Sequence, residues 1–299
     1  MADAPFSSLP HGLALRAMRP EDIPDAVALC RASRWNQTAR EWELFLAMAA
    51  DRAMAAVSDG AVVGTAVTTV YAPGVSWISM VLVDPAWRGR GIGRALLGHA
   101  IAHVAPGSTP SLDATPAGRT LYRALGFTDE YGLTRYGARL PAMEPLVAGT
   151  ASGHVVDAAG ADDLEAVVAL DRRVFGADRR AVIEWYWRVA PDRAWVSRAP
   201  REPDTITGFA LARPGHDAEH VGPIVACSTA EAIALASTAL SEARAGAALL
   251  DVPDRHSAFR EWLMTKAFAV ERPLTRMRRG HAPAGQPEHL FAIAGPELG

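Results

Sequence analysis

Apolar residues recur along this chain at two spacings, and the spacings alternate in an order that repeats. LALR (13–16) suits a short strand, and PEDIPDAVALCRAS puts Ile23, Val27 and Cys30 on one helical face. WNQTAREWELFLAM predicts a second helix, with Thr38 as N-cap and Glu41 three residues on as its capping-box partner. AMAAVSDGAVVGTAVTTVYAPGVSWISMVLVDP then reads as three strands of an antiparallel meander, broken by the turn pairs Asp59-Gly60 and Pro73-Gly74. RALLGHAIAHV has helical periodicity. A strand at SLDA, a helix at AGRTLYRAL stopped by Gly126, and a strand around LTRYGARL complete the series.

PAMEPLVAGTASG (141–153) is rich in small residues, carries two prolines and has no strong period, which predicts a linker. The series then restarts. HVVDA is strand-like, GADDLEAVVALDRRVF and DRRAVIEWYWRV are helical, and RAWVSRA, TITGFALARP and HVGPIVA are strands. STAEAIALASTALSEA (helix), ALLDVP (strand) and SAFREWLMTKA (helix) lead to PLTRMRRG and a terminal FAIAG. The halves also echo each other in letters: LDATPAGRTLYRALGF precedes LTRY in the first, and LDVPDRHSAFREWLMTKAF precedes LTRM in the second. A duplicated domain is the reading that fits this shared order.

Charge narrows the function by exclusion. The 30 basic and 33 acidic residues are spread along the chain, net −3, so no basic field exists for nucleic acid or a membrane surface, and any anion must be met locally. Cys30 and Cys227 form no CxxC pair, so neither a disulfide framework nor a cysteine metal site is expected, and a reducing cytoplasm fits. The N-terminus lacks a basic start followed by an apolar core, and no run of about 20 apolar residues occurs, so neither export nor membrane spanning is predicted.

The strand SWISMVLVDP runs straight into WRGRGIGRAL, three glycines and three arginines ahead of a helix. A glycine loop opening a helix is an anion site, because the first helical turn has unpaired N–H groups and the positive end of the dipole. A Walker loop would need a Lys and a following hydroxyl that are absent here. A dinucleotide fingerprint would need GxGxxG; counted from Gly89 its last position is Arg94, and from Gly91 it is Leu96, although Asp113 lies where a ribose-binding acid would stand. The third pattern is Arg-x-x-Gly-x-Gly, met by Arg88, Gly91 and Gly93.

On those residues VLVDPAWRGRGIGRALL resembles the acetyl-coenzyme A pyrophosphate loop of the GNAT N-acetyltransferases, and LDATPAGRTLYRALGF resembles a later motif of the same family. The first half is similar along roughly 13–140, and the whole chain is similar to tandem GNAT proteins whose second half is a degenerate copy. The resemblance implies an α/β (α+β) fold of two GNAT-like domains, each a mixed, mostly antiparallel sheet flanked by helices. Residues 1–143 are then the coenzyme-binding catalytic domain, and 152–299 the degenerate domain that shapes the acceptor pocket. It further implies that Arg88, Gly89, Arg90, Gly91, Ile92, Gly93 and Arg94 wrap the pyrophosphate. Met80, Val81, Leu82 and Val83 pair with the pantetheine arm like an added strand, with a free amide there to polarise the thioester carbonyl.

The expected reaction moves an acetyl group from acetyl-CoA, the co-substrate, to a small-molecule amine by direct attack in a ternary complex, with no metal. Tyr122 stands where the family carries the acid that protonates the departing thiolate; an ordinary phenol, near 10, outlasts a thiol, near 8.5, as pH rises. Trp35, Asn36 and Gln37 fall where GNAT proteins build the acceptor wall, and Arg276, with Arg278, is a candidate for an acidic group on the acceptor. Glu41 and Glu43 could serve as a base through water, though capping or solvation accounts for them as well. A longer acyl donor, a hydroxyl acceptor, or a coenzyme-A-binding sensor without turnover remain alternatives. In the second copy HVGPIVACSTAEAIALASTAL offers no Gly-x-Gly and no arginine. Ser228 and Glu231 form a capping box there, and Phe259 stands in place of the phenol, so one active site per chain is expected.

Overall fold

The computed structural model describes residues 12–139, 155–199, 202–243, 246–281 and 284–299, without the side chains of 203 and 204; the expected linker at 141–153 lies outside the described residues. The chain divides into two compact units between Leu112 and Asp113.

The first unit carries β1 (Leu13–Ala17), α1 (Ile23–Ala32), α2 (Ala39–Met48), β2 (Ala53–Ser58), β3 (Ala61–Tyr71), β4 (Val75–Val83), α3 (Ile92–Ala102) and the start of β5 (Thr109–Ala114). β2 to β4 form the expected antiparallel meander, β1 adds to it antiparallel against β2, and β5 joins β4 in parallel. Asp59 and Gly60 both take positive φ, 48° and 85°, as a tight two-residue hairpin turn requires. The capping box at α2 forms: Thr38 N–H donates to Glu41 Oε2 at 2.9 Å while Thr38 Oγ1 accepts from Arg40 N–H at 3.3 Å. The pleat sorts β3 into two faces. Thr68 donates its hydroxyl to Ala100 O of α3, and Gly64 lies under Leu96 and Ile92 of the same helix. Val67 and Thr69, of opposite parity, are buried on the other face, where α1 and α2 pack on β3.

The second unit carries α4 (Pro116–Ala124), β6 (Thr128–Ala138), β7 (Val155–Ala158), α5 (Leu164–Phe175), α6 (Arg180–Val189), β8 (Ala194–Ala199), β9 (Glu202–Arg213) and β10 (Glu219–Val225). α7 (Thr229–Ser241), β11 (Ala248–Pro253), α8 (Ser257–Thr265), β12 (Ala269–Arg278) and β13 (Leu290–Ala292) follow. Its strands run in the order β12-β6-β11-β10-β9-β8-β7, with β13 against β10, and β10–β11 is the parallel pair. Leu235, Leu250, Phe259, Leu263 and Phe291 sit in the core beneath α7 and α8.

β6, the last strand of the first sequence series, lies between β11 and β12 of the second. That pairing moves the unit boundary forward to 112/113 from the expected 143. It also gives the letter repeat a physical content. Arg135 of LTRY donates through Nε and Nη2 to both oxygens of Asp251, at 2.8 and 2.6 Å. Arg276 of LTRM donates in the same way to Asp113, at 2.9 and 2.8 Å. Each repeat's arginine therefore holds the other repeat's aspartate. All four side chains are buried, where a bidentate pair is the geometry that offsets desolvation.

Candidate functional site

The glycine-rich loop leaves a helix start with nothing of its own on it. Asp84 takes the Ala86 N–H at 2.7 Å to cap a short turn at Pro85–Trp87, and the chain then passes through Gly89 and Gly91, at φ 75° and 83°. Gly91 is the N-cap of α3 and supplies no side-chain acceptor, so the amides of the first turn, from Ile92 on, meet no cap. A side chain at this left-handed position would be strained, which is why glycine stands there. Arg88 Nε donates to Val83 O at 3.2 Å, Arg90 lies 4.6 Å above the Trp87 ring, and Arg88, Arg90 and Arg94 are exposed beside the open amides. The arrangement suits an anion the size of a phosphate.

Upstream, β4 pairs with β5 only over Val75–Trp77 and Thr109–Ser111. Among the described residues of the first unit, no strand lies against that edge of β4 from Ile78 to Val83. Within this stretch the register with β3 slips by one residue: Val67 faces Ser79, whereas Thr65 faces Leu82. Met80 sits in the resulting bulge at φ 51°, and its carbonyl accepts from Thr65 Oγ1 at 2.8 Å. The Met80–Val81 peptide is planar and trans, so Val81 N–H points away from Thr65. Leu82 is buried and Val83 partly exposed at the end of the strand.

Between α1 and α2, Asn36 and Gln37 are buried and Trp35 is partly so. Arg31 of α1 donates to the carbonyls of both Trp35 and Gln37, which ties the loop to the helix before it. Glu41 is held in its capping box, and Glu43 is exposed.

Tyr122 belongs to the second unit, on α4. Thr115 caps that helix by accepting from Gly118 N–H at 3.3 Å. The Tyr122 ring folds back over Gly118, where a Cβ would come within 2.8 Å of it, and lies 6.1 Å from Phe127. Burial pushes its phenol up to about 12, so the proton stays on at any physiological pH. Arg276 is engaged with Asp113 and also donates to Tyr131 Oη at 2.8 Å, and Arg278 contacts Glu130 at 3.9 Å. His99 and His103 stack at 3.9 Å, and among the described residues no group of three or more His, Cys, Asp or Glu could hold a metal.

The second unit repeats the strand–loop–helix device and fills it. β10 pairs with β11 at Glu219–His220 and then parts from it, with a one-residue slip against β9 between Val221 and Ile224. Gly222 takes the place of Met80, and its carbonyl accepts from Tyr186 Oη at 2.8 Å. Pro223 takes the place of Val81 and has no N–H. β13 enters the gap: it pairs with Ile224 and Val225, Ile293 N–H donates to Asp251 O of β11 at 3.0 Å, and Ile293 O lies 2.1 Å from where a Gly222 Cβ would be. At the helix start, Ser228 Oγ accepts from Glu231 N–H at 3.2 Å, and the buried Glu231 carboxylate takes Cys227 N–H at 2.7 Å and the Thr207 hydroxyl. Phe259 is a core aromatic. The proline inside HVGPIVA was a sequence signal for this difference, since a central strand does not ordinarily admit one. The insertion of β13 and the reach of Tyr186 left no local mark.

Known proteins bear on both halves. GNAT acetyltransferase domains match at residues 49–129 and 167–292, together more than half of the chain. The uncharacterized N-acetyltransferase YitH of Bacillus subtilis is 24% identical over 225 residues, 74% of this chain and 76% of that protein. A candidate acetyltransferase from Pyrococcus horikoshii has a similar fold, with TM-score 0.80, 23% identity and 98% of each chain covered. A tandem GNAT protein from the clavulanic acid biosynthesis pathway aligns at TM-score 0.62 and 16% identity over 91% of this chain and 99% of its own. With a GNAT domain matched in each half and the strand–loop–helix device present in both units, the chain belongs to the GNAT acetyltransferase family as a tandem-domain acyltransferase.

Proposed function

We propose that the chain transfers an acetyl group from acetyl-CoA to a small-molecule amine, directly and at one site per chain. The observation that carries this reading is the pairing, among the described residues of the first unit, of an uncapped α3 start with a β4 edge left unfilled from Ile78 to Val83. The amides from Ile92 to Arg94, with Arg88, Gly89, Arg90, Gly91 and Gly93 shaping the loop, hold the pyrophosphate. The edge from Met80 to Val83 takes the pantetheine arm as an added strand. Val81 N–H, aimed away from Thr65, donates to the thioester oxygen as negative charge gathers there. The amine nitrogen bonds to the carbonyl carbon, the carbon–sulfur bond breaks, Tyr122 gives its proton to the sulfur, and the proton the nitrogen sheds passes to water, from which the phenol is recharged. Trp35, Asn36 and Gln37 line the acceptor side. Because Arg276 is held by Asp113, its part is to position that aspartate within the second unit.

Two measurements test this. Thiol release from acetyl-CoA over a panel of amines should be amine-dependent, and calorimetry should give one acetyl-CoA per chain. Reversing Arg88, Arg90 and Arg94 to glutamate should weaken binding by at least about a hundredfold, since charge-assisted bonds contribute about 1.5–3 kcal/mol each. Uptake unaffected by that reversal, or binding without any amine-dependent thiol, would overturn the reading; the second result would favour a sensor.

A further inference from the structure

We infer that Gln37, Trp42, Thr69 and Ser79 form the acceptor subsite, and that it takes an uncharged part of the amine bearing hydroxyl or amide groups. The inference rests on the acyl-transfer reading above and names the substrate class of that site.

Five buried polar atoms of the first unit have no hydrogen-bond partner among the described residues: His99 Nε2 on α3, and, on other elements, Gln37 Oε1, Trp42 Nε1, Thr69 Oγ1 and Ser79 Oγ. The last four residues are at most 6% exposed, whereas His99 is partly exposed. A buried polar atom left unmatched is costly, so these last four mark a place that something else completes. The topology puts them together. Val67 faces Ser79 and Thr69 faces Trp77, so Thr69 and Ser79 are diagonal neighbours on one face of the β3–β4 ladder. That face is the one turned away from α3, where α2, which carries Trp42, packs on β3, and Gln37 ends the loop that leads into α2. Ser79 directly precedes Met80, so the group borders the bulge whose Val81 N–H is assigned to the thioester oxygen.

The chemistry of the four atoms selects the ligand. The amide oxygen accepts, the indole donates, and each hydroxyl does both, so the complement is a neutral group able to give and take hydrogen bonds. A carboxylate or phosphate would lie here without a cation, because Arg31 spends its guanidinium on the Trp35 and Gln37 carbonyls. A plain alkyl chain would leave all four atoms unmatched.

The test uses the full chain with four small amines: ethanolamine and glycinamide, which carry a neutral polar arm, propylamine, which is apolar, and β-alanine, which is acidic. Saturation-transfer NMR reads binding without coenzyme, and thiol release with acetyl-CoA reads turnover. Ethanolamine and glycinamide should bind and react, and propylamine and β-alanine should do neither. Ser79→Ala and Thr69→Val should each raise KM for the two neutral polar amines roughly three- to tenfold, the loss of about one neutral hydrogen bond, with acetyl-CoA affinity unchanged as the check on folding. Preference for propylamine or β-alanine, KM values unmoved in both variants, or binding of none of the four, meaning that water alone completes these atoms, would overturn the inference. Absence of acetyl-CoA binding would instead strike the acyl-transfer reading, and the coenzyme-free binding arm would still decide this one.

Discussion

The β4–α3 junction and the β10–α7 junction start from the same backbone plan and end as opposites. In each, a central strand parts from its parallel neighbour, gains one residue in a bulge, gives the bulge carbonyl to a hydroxyl, and passes into a helix. Three local differences separate them. Val81 offers an N–H where Pro223 has none. Gly91 leaves a helix start uncapped where Ser228 and Glu231 close one. Among the described residues of its unit, no strand lies against β4 from Ile78 to Val83, whereas β10 receives β13. The proposed coenzyme site and its filled counterpart thus differ by side chains and one three-residue strand, with the fold unchanged. The second unit satisfies from within the donors that the first leaves for a ligand.

The largest effect expected is at Tyr122, the proposed acid. Tyr122→Phe should lower kcat by about 10²–10⁴, the usual contribution of a positioned acid, with acetyl-CoA affinity within about twofold. The pH–rate profile sharpens the same point. The rate should rise as the amine loses its proton and then hold a plateau beyond pH 10. Burial disfavours the phenolate and keeps the proton on up to about pH 12. A fall centred near the ordinary phenol value, or an unchanged kcat in the variant, would remove Tyr122 from the chemistry.

The second prediction exchanges the two junctions. Val81→Pro copies Pro223 into the open site and removes the donor proposed for the thioester oxygen. A drop in kcat of about 10²–10³ is expected, with coenzyme still bound through the loop. Pro223→Val, the reverse change, should leave coenzyme stoichiometry at one, because β13 and Glu231 still fill the second unit. A Val81→Pro chain that retains its turnover would show that the N–H is not a donor to the substrate.

The third works on the closed side. Glu231→Ala strips the α7 start of its buried carboxylate and should destabilise the chain by about 2 kcal/mol, read from denaturant unfolding, with acetyl-CoA stoichiometry again one. A second bound coenzyme in this variant would mean that the carboxylate by itself had closed the site.

The open junction was legible in the sequence because its determinants are local. Glycines at positive φ, a missing cap and clustered arginines sit within a few residues of one another, and the Thr38–Glu41 and Ser228–Glu231 boxes are equally local. What could not be read depends on partners far along the chain. β6 pairs across more than a hundred residues with β11, and Asp113 meets Arg276 rather than the arginine of its own repeat. The letters of the repeat pointed to a duplication, but its crossed ion pairs exist only once two strands have exchanged neighbours. The four unmatched atoms are of the same kind: Ser79 and Thr69 look like ordinary strand residues until the register and burial are known.

The smallest effect expected is also the most local, and it concerns what holds β13 in place. His256, just ahead of α8, donates Nε2–H to Leu290 O at 2.9 Å and stacks on Phe291 at 3.9 Å, so it grips two consecutive residues of the inserted strand. Desolvation first, and the nearby Arg255 and His289 after it, bring the ring down to about 4 from an ordinary value near 6.5, with the Leu290 hydrogen bond opposing. The sign follows from which form the fold prefers. Because the folded value lies below the unfolded one, the stabilisation is fully present above about pH 6.5 and is lost progressively as pH falls through about 4. Amide exchange at Ile293, whose N–H is bonded to Asp251 O, should therefore speed up between pH 7 and pH 4.5 beyond the intrinsic trend, while α3 amides of the first unit do not. His256→Phe keeps a ring against Phe291 but has no proton to gain, so its exchange should be faster at neutral pH and flat across the same window. A wild-type profile as flat as the variant's would take His256 out of the closure and leave Tyr186, Gly222 and the β10 ladder to hold β13 unaided.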